Sequence, residues 1–289
     1  MKIRPGISRW LLGFSVGLTV IHAGQQDRAI AQTTPSTAPS SALSMAAVPP
    51  FVQWCQDRAK LPAVTRRTVD RLLQVAKTDD CDRAHRDLSQ RTELDLTIEF
   101  RYSPIAESEQ LTDLRPLAQF TNLQRLSLSN HAIADLTPLS TLTQLRHLSL
   151  TGNRIVDLSP LAQLTHLEGL TLTSNQITNL APLSELKNLR VLLLGANQIV
   201  DIRPLAGLTD LESLHLFNNQ IQTIQPLAKL SRLTHLLLDQ NQIRDLSPLS
   251  GLTQLTTLSL MLNQITDLRP LSQLTNLPEL NLAVNRIAD

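Results

Sequence analysis

Residues 145–157 read LRHLSLTGNRIVD. The same skeleton, L-x-x-L-x-L-x-x-N-x-I-x-D followed by L-x-P-L-x-x-L-T, returns every 22 residues through the second half of the chain. Its asparagines are Asn153, Asn175, Asn197, Asn219, Asn241, Asn263 and Asn285, and prolines keep the same beat from Pro116 to Pro270. A fixed period of this size marks a solenoid, in which one supersecondary unit buries its apolar side only by stacking on its copies. Such scaffolds present surfaces to unrelated partners, so the period specifies an architecture and leaves the partner open.

Within one unit, Leu148 and Leu150 alternate with Ser149, the period-2 pattern of a short strand. Stacked units set these strands side by side, about 4.8 Å apart, in a parallel sheet. The remaining leucines fill the interior of the coil. The asparagine falls where the chain leaves the strand and turns. A buried amide both donates and accepts, so it can satisfy the inward-pointing backbone groups of that turn, and identical asparagines can stack as a ladder. A ligand or glycan site is the competing reading, but one structural role accounts for all seven positions at once. In the first full repeat His131 takes the asparagine position, with Asn130 just before it, so an imperfect start to the ladder is expected. Each Pro-Leu-x-x-Leu reads as a single turn of 3₁₀ or α helix. Thr137, Ser159 and Ser247 are suited to cap these turns, whereas Ala181, Arg203 and Gln225 are not. Capping is therefore not expected to be what the repeat preserves.

These motifs resemble the leucine-rich repeats of the internalin type over residues 94–289. The resemblance implies an α/β solenoid: a horseshoe with a parallel concave sheet, short 3₁₀ or irregular convex segments and a small helical N-terminal cap. For function it implies a protein-interaction module and no chemistry.

The N-terminal third has a different character. Residues 1–31 read as a signal peptide: Lys2, Arg4 and Arg9 precede the apolar run 10–21, which is too short for a membrane span. Ala29 and Ala31 supply the small-x-small cleavage signal, with Ala23 a second option and an uncleaved anchor the alternative to cleavage. Residues 32–50 are Thr, Pro, Ser and Ala with little to bury, a disordered tether. Residues 51–93 read as a helical cap. Val69, Leu72, Leu73 and Ala76 share one helix face, and Asp80 starts a second helix carrying Ala84 and Leu88. Cys55 and Cys81 bracket this cap and are the chain's two cysteines. In an exported chain they read most simply as a disulfide, with a metal pair or a nucleophile as rivals. The cap is similar to those of exported bacterial repeat proteins, cyanobacterial ones among them. Leu94 and Leu96 repeat the strand motif once, followed by a ten-residue insertion around 101–110. The repeats run to Asp289, so the last coil is expected to stay partly open unless the chain is a shortened relative of longer arrays.

Without the leader the chain carries 22 basic and 24 acidic residues. That near-neutral balance argues against a nucleic-acid partner, which would call for a basic stripe. No phosphate loop, nucleophile elbow or H-E-x-x-H motif is present. The reading is a monomeric, non-enzymatic module without cofactor or metal and without a membrane span once the leader is removed.

The concave positions alternate with the strand leucines. Early repeats offer small polar residues such as Ser127, Ser149 and Thr171. Later repeats offer Val191 and Leu193, His215 and Phe217, His235, Leu237 and Asp239, and Met261. The pattern predicts one row of Leu193, His215 and Leu237 and a second of Phe217, Asp239 and Met261. Core packing does not require apolar side chains at these positions, so they read as a protein-binding patch with Phe217 and Leu237 as anchors. Drift among leucine-rich repeats is the competing account. The expected function is protein binding on the concave face, in the cell envelope or outside the cell. The alternative is a structural or adhesive envelope component that binds cell wall or polysaccharide.

Overall fold

The computed structural model describes residues 50–99 and 105–287. The leader, the tether up to residue 49 and the insertion up to residue 104 lie outside these. Three helices form the cap: α1 (Phe51–Gln56), α2 (Ala63–Ala76) and α3 (Cys81–Gln90). The first of them was not anticipated from the sequence. Phe51 and Trp54 of α1, Val69, Leu72 and Leu73 of α2, and Ala84 and Leu88 of α3 are buried together. Asp80 caps α3 by accepting from the Arg83 amide at 2.9 Å. A disulfide joins Cys55 to Cys81 and so ties α1 to the start of α3, with Cα atoms 5.7 Å apart. The cap docks on the first coil through buried hydroxyls. Thr65 Oγ1 donates to Asp113 Oδ2 and Thr68 Oγ1 to the Asp113 carbonyl, both at 2.6 Å. The Phe51 ring meets Phe120 edge-on at 5.6 Å.

Nine three-residue strands follow: β1 (Glu93–Asp95), β2 (Arg125–Ser127), β3 (His147–Ser149), β4 (Gly169–Thr171), β5 (Val191–Leu193), β6 (Ser213–His215), β7 (His235–Leu237), β8 (Thr257–Ser259) and β9 (Glu279–Asn281). They pair in chain order as one parallel sheet. The chain is an α/β solenoid of leucine-rich repeats. From β2 onward each residue pairs with the residue 22 positions later, so the period in the sequence is the register of the sheet. The central leucine of every strand from β1 to β8 is buried. In the last coil Leu280, Val284 and Ile287 are exposed.

A 3₁₀ turn carries each Pro-Leu pair, with proline as its second residue. The expectation about capping is corrected here. In place of the residue before proline, a side chain two positions further back, most often the aspartate that ends the skeleton, holds each turn, with Thr223 at the Gln225 turn. Asp135 Oδ1 accepts from the Thr137 amide at 2.8 Å, Asp157 Oδ1 from Ser159 at 2.9 Å and Asp201 Oδ1 from Arg203 at 2.9 Å. Asn179 does the same for Ala181 at 3.0 Å. A side chain two residues upstream makes an Asx turn, so the turn's own first residue is free to vary.

The asparagines span neighbouring coils. Asn197 Oδ1 accepts from the Ile177 amide at 3.0 Å, and its Nδ2 donates to the carbonyls of Leu172 and Leu194, each at 3.0 Å. Asn175 and Asn219 repeat the pattern one coil to either side. At the start of the ladder only part of the pattern is kept. His131 Nδ1 accepts from the Leu111 amide at 3.2 Å and Nε2 donates to the Leu96 carbonyl at 2.8 Å. An imidazole offers one acceptor and one donor on opposite sides of the ring, which reproduces the amide's two bonds to the preceding coil but not its donation to the carbonyl three residues back. The residue before each ladder position is left-handed, among them Gly152 (φ 67°), Ala196 (φ 54°), Leu262 (φ 58°) and Val284 (φ 57°).

Candidate protein-interaction surface

Strand pairing aligns Leu193 with His215 and His215 with Leu237. These three side chains form one half-buried row across β5, β6 and β7. Val191 stands at the head of β5, 37% exposed. His235 opens β7 in the row that also holds Ser213. His215 has only a weak partner, Ser213 Oγ at 3.4 Å, while His235 Nδ1 lies 2.9 Å from Thr234 Oγ1. Burial pushes the His215 imidazole down to about 4, and His235 adds to the shift. The ring is therefore neutral at pH 7 and counts as part of the apolar row.

The second row behaves differently. The Phe217 ring lies across Gly195 of the preceding coil, so closely that a Cβ there would stand 2.3 Å from the ring. Asp239 Oδ1 accepts from the Ser259 hydroxyl and from the Met261 amide at 2.8 Å. Phe217 thus covers a neighbouring coil and Asp239 holds the next one, which leaves Met261 half-buried beside them. The structure brings together Val191, Leu193, His215, His235 and Leu237. It gives Phe217 and Asp239 partners within the solenoid.

A charged border along the edge where the chain enters the strands was missed in the sequence. Arg146 pairs with Glu168, Arg190 Nη2 with Glu212 Oε1 at 2.7 Å, and Arg232 Nη1 with Asp210 Oδ1 at 2.7 Å. Arg146, Glu168, Arg190, Asp210 and Arg232 line a cleft of about 360 Å³ together with His166 and Asn188. The signal was available as an alternation of sign at the repeat period, Arg146, Glu168, Arg190 and Glu212, one position outside the strand pattern. Among the described residues no three His, Cys, Asp or Glu side chains group closely enough to hold a metal ion, and no helix is long and apolar enough to cross a membrane.

The family of leucine-rich repeats (2 copies) matches residues 143–185, 187–229 and 231–272. Internalin C2 of Listeria monocytogenes is 36% identical, with a TM-score of 0.67 over 76% of this chain and 92% of that one. The chain belongs to the internalin-type leucine-rich repeat proteins. A second internalin of the same organism, InlF, is 28% identical with a TM-score of 0.57, covering 85% of this chain and 81% of its own. A plant peptide hormone receptor, RGFR1, solved with RGF2, shares the fold alone at 23% identity, a TM-score of 0.55, and coverage of 62% of this chain and 31% of that one. No curated protein sequence matches significantly. Leucine-rich repeats are protein-interaction modules, and this internalin-type solenoid aligns half-buried apolar side chains on β5 to β7.

Proposed function

We propose that the chain is an exported, monomeric, non-enzymatic binding module that engages another protein on its concave face, centred on β5 to β7. The observation that carries this reading is the row Leu193, His215 and Leu237. Three neighbouring strands align two leucines and a neutral imidazole at positions where β2, β3, β4 and β8 carry the hydroxyls of Ser127, Ser149, Thr171 and Ser259. No core contact calls for apolar side chains there, because the inward leucines Leu192, Leu214 and Leu236 are already fully buried. Apolar surface of this kind beside paired charges matches the anatomy of an interface core with a polar rim. Export is supported by the basic, apolar start of residues 1–31 and by the Cys55–Cys81 disulfide, which persists in oxidising compartments. The proposed layout is leader 1–31, tether 32–50, cap 51–93 and repeats 94–289.

Leu193→Ser with Leu237→Ser is the direct test. Phe217 is a poorer probe, since its ring also shields Gly195. The pair is expected to change stability little, because outward substitutions usually stay near ±0.5 kcal/mol. Quantitative capture of a stoichiometric partner from envelope extract is expected to fall to background. Ser127→Asp with Thr171→Asp in the polar repeats is expected to leave capture intact. A folded Leu193/Leu237 variant that still captures the partner overturns the concave assignment. Broad association with cell wall or polysaccharide, insensitive to the pair, identifies the adhesive alternative.

A further inference from the structure

Of all ladder positions, the one at the junction between the cap-bearing coil and the array holds a titratable side chain. The bond partners of His131 fix its protonation state. The Leu111 amide is a donor only, so Nδ1 must be bare, and the Leu96 carbonyl is an acceptor only, so Nε2 must carry the proton. The neutral ring meets both demands, as asparagine does elsewhere. An imidazolium cannot, because a proton on Nδ1 faces the Leu111 N–H. The residue is buried, 4% exposed, so water does not take over the lost bond.

We propose that His131 is an acid-sensitive clasp between the first coil and the rest of the array, and that protonating its ring frees the Leu111 amide from it. This device is independent of the concave patch. Arg67 and Arg71 project from α2, and Arg67 donates to the Gln110 carbonyl beside Leu111. Glu93 on β1 is paired with Arg125 on β2, and Asp95 accepts from the Thr97 amide. Asp113 is bonded to Thr65 and Arg115. Burial holds the ring below the ordinary imidazole range, Arg71 pushes the same way as a like charge, and only the Leu96 carbonyl opposes them. The cap rides on the coil that would loosen, through Thr65 and Thr68 on Asp113. The proposed opening therefore lies between a disulfide-braced N-terminal block and the array.

Native-state hydrogen exchange on the full chain tests this, with rates corrected for the intrinsic pH dependence. The Leu111 amide, held by His131, is compared with the Ile155 amide, which Asn175 holds at 3.0 Å in the equivalent position. Between pH 7.5 and 5 the protection of Leu111 is expected to fall on the order of tenfold. The ceiling is about thirtyfold if the open state titrates at an ordinary pKa and the closed state stays neutral. Ile155 is expected to hold its protection. His131→Asn installs the repeat's own residue and is expected to abolish the pH dependence at Leu111. A parallel loss at Leu111 and Ile155 in the wild type overturns the proposal whether or not the variant folds. So does an unchanged pH dependence in His131→Asn.

Discussion

Replacing Asn197 with alanine measures what one ladder rung contributes, and the structure shows that its bonds do not simply add. Four backbone groups lie against this side chain: the Ile177 amide and the carbonyls of Leu172, Leu194 and Gly195. Three of them keep a partner when the amide is removed. Asn175 Nδ2 also donates to Leu172 at 3.0 Å, Asn219 Nδ2 to Leu194 at 3.0 Å, and the Ser174 amide to Gly195 at 2.9 Å. Ile177 N–H alone loses its acceptor, inside a fully buried residue. An orphaned buried donor costs about 1–3 kcal/mol. Asn197→Ala is therefore expected to cost about 2 kcal/mol, or roughly 4–8 °C in Tm for a domain of this size. The control is Asn188→Ala in the same coil. That side chain also donates to a carbonyl, Thr165 at 2.8 Å, but in an exposed position where water can replace it, so the expected change stays within about 0.5 kcal/mol. Asn197→Asp sharpens the test. It can still accept from Ile177 but presents a half-buried carboxylate to two carbonyls, and at pH 7 it is expected to melt below the alanine variant. Thermal unfolding followed by circular dichroism reads all three. Equal melting temperatures for Asn197→Ala and Asn188→Ala would refute the argument.

Two further outcomes are expected. The folded-state pKa of His215, about 4, lies below its ordinary value of 6.5, so the stability contributed by the neutral ring is fully present above about pH 6.5 and is lost as the pH falls toward 4. His215→Leu is accordingly expected to reduce the drop in Tm between pH 7 and pH 5; an unchanged drop would mean that this ring is as well solvated folded as unfolded. Leu262 sits at φ 58°, a conformation that costs an ordinary L-residue about 1–2 kcal/mol and that asparagine tolerates. Leu262→Asn is expected to raise stability by about 0.5–1 kcal/mol in urea titrations, and a loss would show that the exposed leucine packs on something more valuable than the strain it carries.

The sequence by itself determined the solenoid, the parallel sheet and its register. Each follows from a 22-residue period, because a solenoid coil contacts only its neighbours and identical coils must stack identically. It also indicated the row of Leu193, His215 and Leu237, since a residue's row and face follow from its place in the repeat. What neighbouring side chains do to one another was settled in three dimensions. His131 departs from the consensus by residue type but keeps the same donor and acceptor, which only the positions of Leu96 and Leu111 reveal, because the insertion hides their spacing in the chain. The turn-holding role of Asp135 and its equivalents escaped a reading that looked for caps two residues too close to the proline. Phe217 and Leu237 look alike as outward apolar residues, yet Phe217 is largely spent on Gly195 while Leu237 has no such neighbour. A glycine 22 residues away is visible in the sequence, but whether a ring lies across it depends on rotamer and coil spacing, and tertiary packing alone decides those.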